Sequence, residues 1–146
     1  MKQSKPLGIL FIHPMSDIGY PLQIGALSAF LKKFGYQTKL LSLTVPAKIE
    51  KIHLLEAKQA IRDFQPGLVA FSSYETNFIP IYTLAKFIKK HWPQTPVIIG
   101  GYYPTLAPDE VMAYKVFDYL CRGEGEYPIL ELIRALEKNR QPTQIK

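Results

Sequence analysis

One short segment, residues 67–71 (Gly-Leu-Val-Ala-Phe), constrains this chain more than any other. Its apolar side chains follow one another without the polar alternation of a half-exposed strand, so both faces must be covered, as in the centre of a parallel sheet. Such a strand requires helices on either side, and the flanking sequence supplies them. Residues 7–12 form a first apolar run. Residues 21–34 then place Leu27, Phe30, Leu31 and Phe34 at helical spacing, and Gly35 offers a left-handed stop. Residues 36–43 read as a second strand, broken by Val45-Pro46. Between residues 48 and 64, Leu54, Ala57, Ile61 and Phe64 line one helical face while Lys51, Lys58, Arg62 and Asp63 line the other. Asn77 is expected to cap a third helix carrying Ile81, Leu84, Ala85 and Ile88, with Pro93 and Pro96 beyond it. Val97-Ile98-Ile99 is a fourth strand, Pro108 opens a short helix, residues 117–121 are a fifth strand, and Ile129, Leu132, Ile133 and Leu136 mark a fifth helix.

Strands alternating with helices in this way imply successive right-handed crossovers. The expected fold is α/β: a Rossmann-like or flavodoxin-like doubly wound sheet of five parallel strands with helices on both faces. At 146 residues the chain suits one domain. Residues 1–138 are expected to form it, with residues 139–146 a tail or the start of a linker.

In sheets of this kind ligands bind beyond the carboxyl ends of the strands, near the point where strand order reverses. The loops there read His-Pro-Met-Ser-Asp-Ile-Gly-Tyr-Pro (13–21), Ser-Ser-Tyr-Glu-Thr-Asn (72–77), Gly-Gly-Tyr-Tyr-Pro-Thr (100–105) and Gly-Glu-Gly-Glu (123–126). Glycine admits a ligand close to the backbone, and free N–H groups at helix starts offer donors. The same glycines also serve ordinary turns, but three such loops on one edge, interleaved with hydroxyls and aromatics, favour a pocket. What is missing narrows the ligand. Gly19 stands alone where a dinucleotide fold carries Gly-x-Gly-x-x-Gly, no Walker loop occurs, and a phospho-acceptor domain would have acids where this chain has His13-Pro14 and Ser72-Ser73. A large, neutral or amide-rich cofactor remains.

The run from Gly19 to Leu31 leading to Phe34-Gly35-Tyr36, the strand end Val69-Ala70-Phe71-Ser72-Ser73, the stretch from Val97 through Gly100-Gly101-Tyr102-Tyr103-Pro104-Thr105, and the stretch from Phe117 through Gly123-Glu124-Gly125-Glu126 together resemble a known family. It is the N-terminal cobalamin-binding domain of B12-dependent radical SAM enzymes. The resemblance implies cobalamin as cofactor, contacted by Met15, Ser16, Asp17, Tyr20 and Ile24, by Ser72, Ser73, Tyr74 and Glu75, by Gly100, Gly101, Tyr102, Tyr103 and Pro104, and by Gly123, Glu124, Gly125 and Glu126. Related mutase domains carry Asp-x-His-x-x-Gly after the first strand, the histidine binding cobalt. Here those two positions fall on Pro14 and Ser16, so the resemblance implies a base-off, His-off corrinoid with no protein ligand to the metal. It further implies a barrel domain in cis, absent from this chain, that binds a [4Fe–4S] cluster through Cys-x-x-x-Cys-x-x-Cys and cleaves S-adenosylmethionine in a methyltransferase or cyclase. The lone Cys121 cannot hold such a cluster, so the chain is not expected to be catalytic alone.

The remaining titratable residues have plainer readings. His13, closing a buried strand, is expected to be hydrogen-bonded scaffold rather than a cobalt ligand, His53 and His91 to lie on the surface, and Cys121 to be a small core residue. Glu124 and Glu126 suit either corrin amides or a helix start. Eighteen Lys and Arg against twelve Asp and Glu give a net charge of +6, but Lys32-Lys33 and Lys89-Lys90 lack the interleaved aromatics of a nucleic-acid platform. A nucleic-acid partner is not expected. Neither a membrane span nor a signal-peptide core is evident, which suggests a cytoplasmic location. Two other readings compete: the N-terminal half of a two-domain nucleotide-sugar glycosyltransferase, whose first helix residues 24–36 also resemble, and a stand-alone corrinoid carrier or sensor.

Overall fold

The computed structural model describes residues 6–16, 21–140 and 142. Five parallel strands, β1 (Ile9–Met15), β2 (Thr38–Thr44), β3 (Leu68–Ser72), β4 (Val97–Gly100) and β5 (Tyr119–Leu120), lie in the order β2-β1-β3-β4-β5. The chain builds outward from β1 to β2, returns past β1 to β3, and proceeds to β5. The order therefore reverses between β1 and β3, as in flavodoxin-like sheets.

Side-chain alternation along the strands divides the core into two layers. Leu10, Ile12, Val69, Phe71, Val97 and Ile99 face α2 (Lys51–Phe64) and α3 (Phe78–His91), burying Ala57, Ile61, Ile81, Leu84 and Ile88. On the opposite face Ile9, Phe11, Leu68, Ala70 and Ile98 meet Ile24 and Leu31 of α1 (Leu22–Lys33) and Ile129, Leu132 and Ile133 of α6 (Glu126–Glu137). Each fully buried branched or aromatic side chain contributes about 1.5–3 kcal/mol, so both layers are needed to hold the sheet. Two one-turn helices, α4 (Tyr102–Leu106) and α5 (Pro108–Met112), link β4 to β5.

Several local features depart from the sequence expectation. β1 runs through His13-Pro14 to Met15, pairing with β2 as far as Thr44, whereas its pairing with β3 stops at Ile12–Phe71. Proline is tolerated there because the strand has lost one neighbour. The β1–β2 pair consequently projects past the ends of β3 and β4. β5 is only two residues long, shorter than the five expected. At its entrance the Asp118 carboxylate accepts the Val97 N–H at 2.8 Å and pairs with Lys89 Nζ at 2.9 Å, so a side chain replaces a ladder bond at the start of β4. Asn77 gives α3 no side-chain cap. Instead its Oδ1 accepts the Tyr74 N–H at 2.8 Å and its Nδ2 lies 3.4 Å from the carbonyls of both Pro14 and Ser72, tying β1 to β3 where their order reverses. His53, expected at the surface, is buried: Nδ1 accepts the Glu50 N–H at 2.9 Å, leaving Nε2 to donate to the Thr44 carbonyl at 3.0 Å. His91 is exposed. Among the described residues no helix is long and apolar enough to cross a membrane.

Candidate functional site

The carboxyl edge of the sheet is laced by its own backbone. Ser73 N–H donates to the Gly100 carbonyl at 2.8 Å, and Tyr103 N–H donates to the Ser73 carbonyl at 3.1 Å. Gly101 fits between them with φ of +101°; a Cβ there would stand 2.7 Å from Ser73 O and 2.8 Å from Ser73 N, so no larger residue is accommodated. Thr105 Oγ1 donates to the Gly101 carbonyl at 2.7 Å and accepts the Gly123 N–H at 3.0 Å. The loops after β3, β4 and β5 thus form one connected rim.

Beneath the rim, between the sheet and the facing sides of α1 and α6, opens a cavity of about 410 Å³. That is within the range of about 300–1,000 Å³ typical of small-molecule sites. Phe11, Ile24, Leu27, Ala70, Ile98 and Ile129 make its walls largely apolar. Gln23, Ser72, Thr105, Glu124 and Glu126 supply polar groups, and Gly100, Gly101, Gly123 and Gly125 leave the mouth free of side chains. Above it Tyr74 and Tyr102 stack, ring centres 5.5 Å apart and 25° between planes, and the Tyr74 hydroxyl donates to Gln23 Oε1 at 3.2 Å. Tyr102 of the cavity lining, and Leu22 and Leu106 next in sequence to the lining residues Gln23 and Thr105, are 61%, 76% and 81% exposed. A larger depression of about 780 Å³ runs beside β5 past Pro93, Pro96, Leu132 and Leu136. It flanks the amino end of β4, away from the strand ends where ligands bind in such folds.

Of the residues expected to touch a cofactor, Ile24, Ser72, Gly100, Gly101, Tyr102, Gly123, Glu124, Gly125 and Glu126 line the cavity, and Tyr74 stands at its rim. Ser73 is buried in the lacing, and Glu75 opens the 3-10 turn Glu75–Asn77. Ser16 is exposed, and Met15 Sδ lies 3.8 Å from Asn77 Nδ2, outside the cavity lining. Tyr103 turns away from the cavity to pack edge-on against Phe78, and its hydroxyl donates to Glu110 at 2.6 Å, which pushes its pKa up to about 12. Pro104 is buried beside it. Asp17 and Tyr20 lie outside the described residues. Phe11, Gln23, Leu27, Ala70, Thr105, Cys121 and Ile129 also line the cavity and escaped the sequence reading. Strand parity would have found the sheet residues, since Phe11, Ala70 and Ile98 share one face.

Two titratable groups border the site. His13 is 4% exposed, and among the described residues its Nδ1 has no hydrogen-bond partner, where a hydrogen-bonded scaffold is expected; burial lowers its pKa. Cys121 is half-buried: it packs against the core layer of Phe11, Ile98 and Ile129 and also lines the cavity, its Sγ 3.8 Å from the Glu124 carbonyl. Burial, with the Glu126 carboxylate adding to it, pushes the thiol pKa up. Among the described residues no three His, Cys, Asp or Glu side chains converge as metal ligands.

A family model described as the B12 binding domain matches residues 11–133. The uncharacterized methyltransferase PH0819 of Pyrococcus horikoshii is 30% identical over 93 residues, covering 63% of this chain and 20% of that protein. The cytidylyl-2-hydroxyethylphosphonate methyltransferase of Streptomyces wedmorensis is 26% identical over 148 residues (92% and 28%). The anaerobic magnesium-protoporphyrin IX monomethyl ester cyclase of Rubrivivax gelatinosus is 23% identical over 141 residues (90% and 25%). The chain spans less than a third of each relative. Among solved structures, a cobalamin-binding protein from Desulfitobacterium hafniense superposes with a TM-score of 0.64 at 12% identity, covering 90% of this chain and 58% of that one. The receiver domain of RcsB from Salmonella enterica does so at 0.63 and 11% (96% and 94%). The backbone is therefore shared by proteins of unlike function, and this likeness shows the fold alone.

Proposed function

Because the chain belongs to the B12-binding domain family, we propose that it holds cobalamin base-off and His-off, as one domain of a B12-dependent radical SAM methyltransferase or cyclase. The observation that carries this reading is the cavity under the glycine-lined rim. A corrinoid presents a broad, amide-fringed ring and a nucleotide tail. The exposed Leu22, Tyr102 and Leu106 offer apolar cover to the ring, and the cavity offers an apolar slot for the tail's base, with Ser72 and backbone N–H groups near its mouth. A tail lying in that slot is withdrawn from cobalt, which is the sense of base-off. Pro14 and Ser16 stand where related domains carry the aspartate and histidine of the lower-ligand motif, supporting the His-off reading.

Bound cobalamin supplies a cobalt centre that accepts and passes on a methyl group or takes part in radical chemistry. The chain's own residues bind and orient it and limit water at its lower face. They include no proposed acid, base or nucleophile. The [4Fe–4S] cluster and S-adenosylmethionine belong, on this proposal, to a barrel domain that follows in the same protein, residues 139–146 leading toward it, and the whole enzyme acts in the cytoplasm.

Mixing the purified chain with hydroxocobalamin and removing free dye by gel filtration tests the binding. Near-stoichiometric corrin absorbance is expected in the protein peak, and its absence refutes the proposal. After reduction to Co(II), electron paramagnetic resonance should show no nitrogen splitting from a protein imidazole. A nitrogen triplet abolished by His13→Ala would overturn the His-off assignment.

A further inference from the structure

We propose, resting on the cobalamin reading above, that Thr105 is a positioning residue whose hydroxyl clasps the two glycine loops together and so selects a corrinoid that carries its nucleotide tail over one that lacks it. The two lips of the cavity mouth are held by different means. The Gly100-Gly101 lip is fixed by packing, since Gly101 is wedged against the Ser73 backbone and Gly100 accepts the Ser73 N–H. The Gly123 lip is held less closely: Gly125 packs on Leu27 and Cys121 Sγ lies 3.8 Å from the Glu124 carbonyl, while Gly123 itself stands open. A Cβ at Gly123 would meet nothing within 4 Å, its φ of +71° is one that glycine adopts freely, and β5, which should anchor it, is two residues long.

Among the described residues, the hydrogen bond from Gly123 N–H to Thr105 Oγ1, at 3.0 Å, is the only one between residues 101–106 and 122–126. The same oxygen donates to the Gly101 carbonyl at 2.7 Å, so one hydroxyl bridges the fixed lip to the loose one. Thr105 also lines the cavity. Releasing it frees the Gly123 loop and widens the slot proposed for the tail, while the backbone bonds of Tyr103 N–H to Ser73, Thr105 N–H to Gly101 and Ala107 N–H to Tyr103 still hold the apolar edge that would carry the ring.

The test compares Thr105→Val, which keeps the shape and removes both bonds, with Thr105→Ser, which keeps the hydroxyl. Affinities for hydroxocobalamin and for cobinamide, a corrinoid without the nucleotide, are measured by absorbance titration, and amide exchange at Gly123 is followed in cofactor-free protein. Losing two neutral hydrogen bonds should weaken hydroxocobalamin binding roughly tenfold in Thr105→Val and leave cobinamide within about twofold of the parent. Thr105→Ser should bind both as the parent does. Gly123 exchange should accelerate in Thr105→Val alone. Equal losses for both corrinoids, an unchanged cobalamin preference, or unchanged Gly123 exchange would each overturn the proposal. If Thr105→Val does not fold, Thr105→Ala takes its place with the same expectations. Should the parent protein bind neither corrinoid, the cobalamin reading fails, and Gly123 exchange still decides whether the clasp exists.

Discussion

Replacing Gly101 with alanine tests the lacing of the sheet edge, and Gly25→Ala supplies a control of opposite sign. Gly101 has φ of +101° and ψ of −167°, a region open almost only to glycine. The added methyl would also sit 2.7 and 2.8 Å from Ser73 O and N, backbone atoms held by their own hydrogen bonds. Strain of this kind costs about 1–3 kcal/mol, and overpacking costs about 1–3 kcal/mol more. With an unfolding entropy near 2.1 cal/mol/K per residue, 1 kcal/mol shifts the Tm of a chain this long by about 3 °C, so a fall of roughly 6–20 °C is expected. Gly25 lies on the exposed side of α1, where an added methyl would meet nothing within 4 Å, so alanine there should stabilise by about 0.5–1 kcal/mol and raise the Tm by about 2–3 °C. Thermal melts followed by circular dichroism at matched concentration give both numbers. A Gly101→Ala protein melting within about 2 °C of the parent would refute the argument from strain and packing, as would an equal fall in Gly25→Ala.

Removing the Asp118 carboxylate by alanine should cost about 1.5–3 kcal/mol, because the Val97 N–H loses a charged acceptor. Asparagine keeps an acceptor and forfeits only the partly exposed Lys89 pair, at about 0–1 kcal/mol; urea midpoints that place the two variants together would contradict this division. The Cys121 thiol, its pKa raised chiefly by burial, should alkylate with iodoacetamide more slowly than free cysteine at neutral pH and gain rate only at higher pH, and more slowly still once hydroxocobalamin fills the cavity. A thiol titrating at or below the free value would sink that expectation. Burial lowers the His13 pKa below 6.5, so the folded protein resists the proton that the unfolded chain accepts. Stability should be full above about pH 6.5 and decline as pH falls below it toward the lowered folded-state value. His13→Asn should flatten that decline, and a profile unchanged in the variant would exclude His13 as its source.

Periodicity made the element order legible because each strand or helix buries one kind of stripe, and that stripe is written locally. Residues 67–71 announced the central strand, and the helical spacing of Leu27, Leu31, Ala57 and Ile61 announced the covering helices. Boundaries were less legible where a side chain substitutes for a ladder bond. The Asp118 carboxylate takes the Val97 N–H, a partner 21 residues away, while its own N–H donates to the Val97 carbonyl. His53 was read as exposed because its helical face is polar in sequence, yet its ring answers two backbone groups, one of them nine residues distant in β2.

The loops of the site were found because binding in this fold follows topology, and their glycines are visible without coordinates. What lay between the loops was not visible. Gln23 and Leu27 reach the cavity through the docking of α1 beside α6, and Tyr103 leaves it because Phe78 and Glu110 draw the ring away. Adjacent tyrosines at 102 and 103 look alike in sequence and face different tasks, which only packing decides.

The uneven strand ends have a consequence for anything that lies across them. Pro14 and Met15 carry β1 two residues past the level of Ser72 and Gly100, a height of about 7 Å at strand rise. The sheet edge is therefore a stair rather than a table, with a low tread over β3 and β4 and a riser at β1. A flat, rigid molecule set on the tread is stopped by the riser on one side. Its travel toward β1 is thereby limited by the backbone, which leaves the laced loops after β4 and β5 to set the limit on the other side.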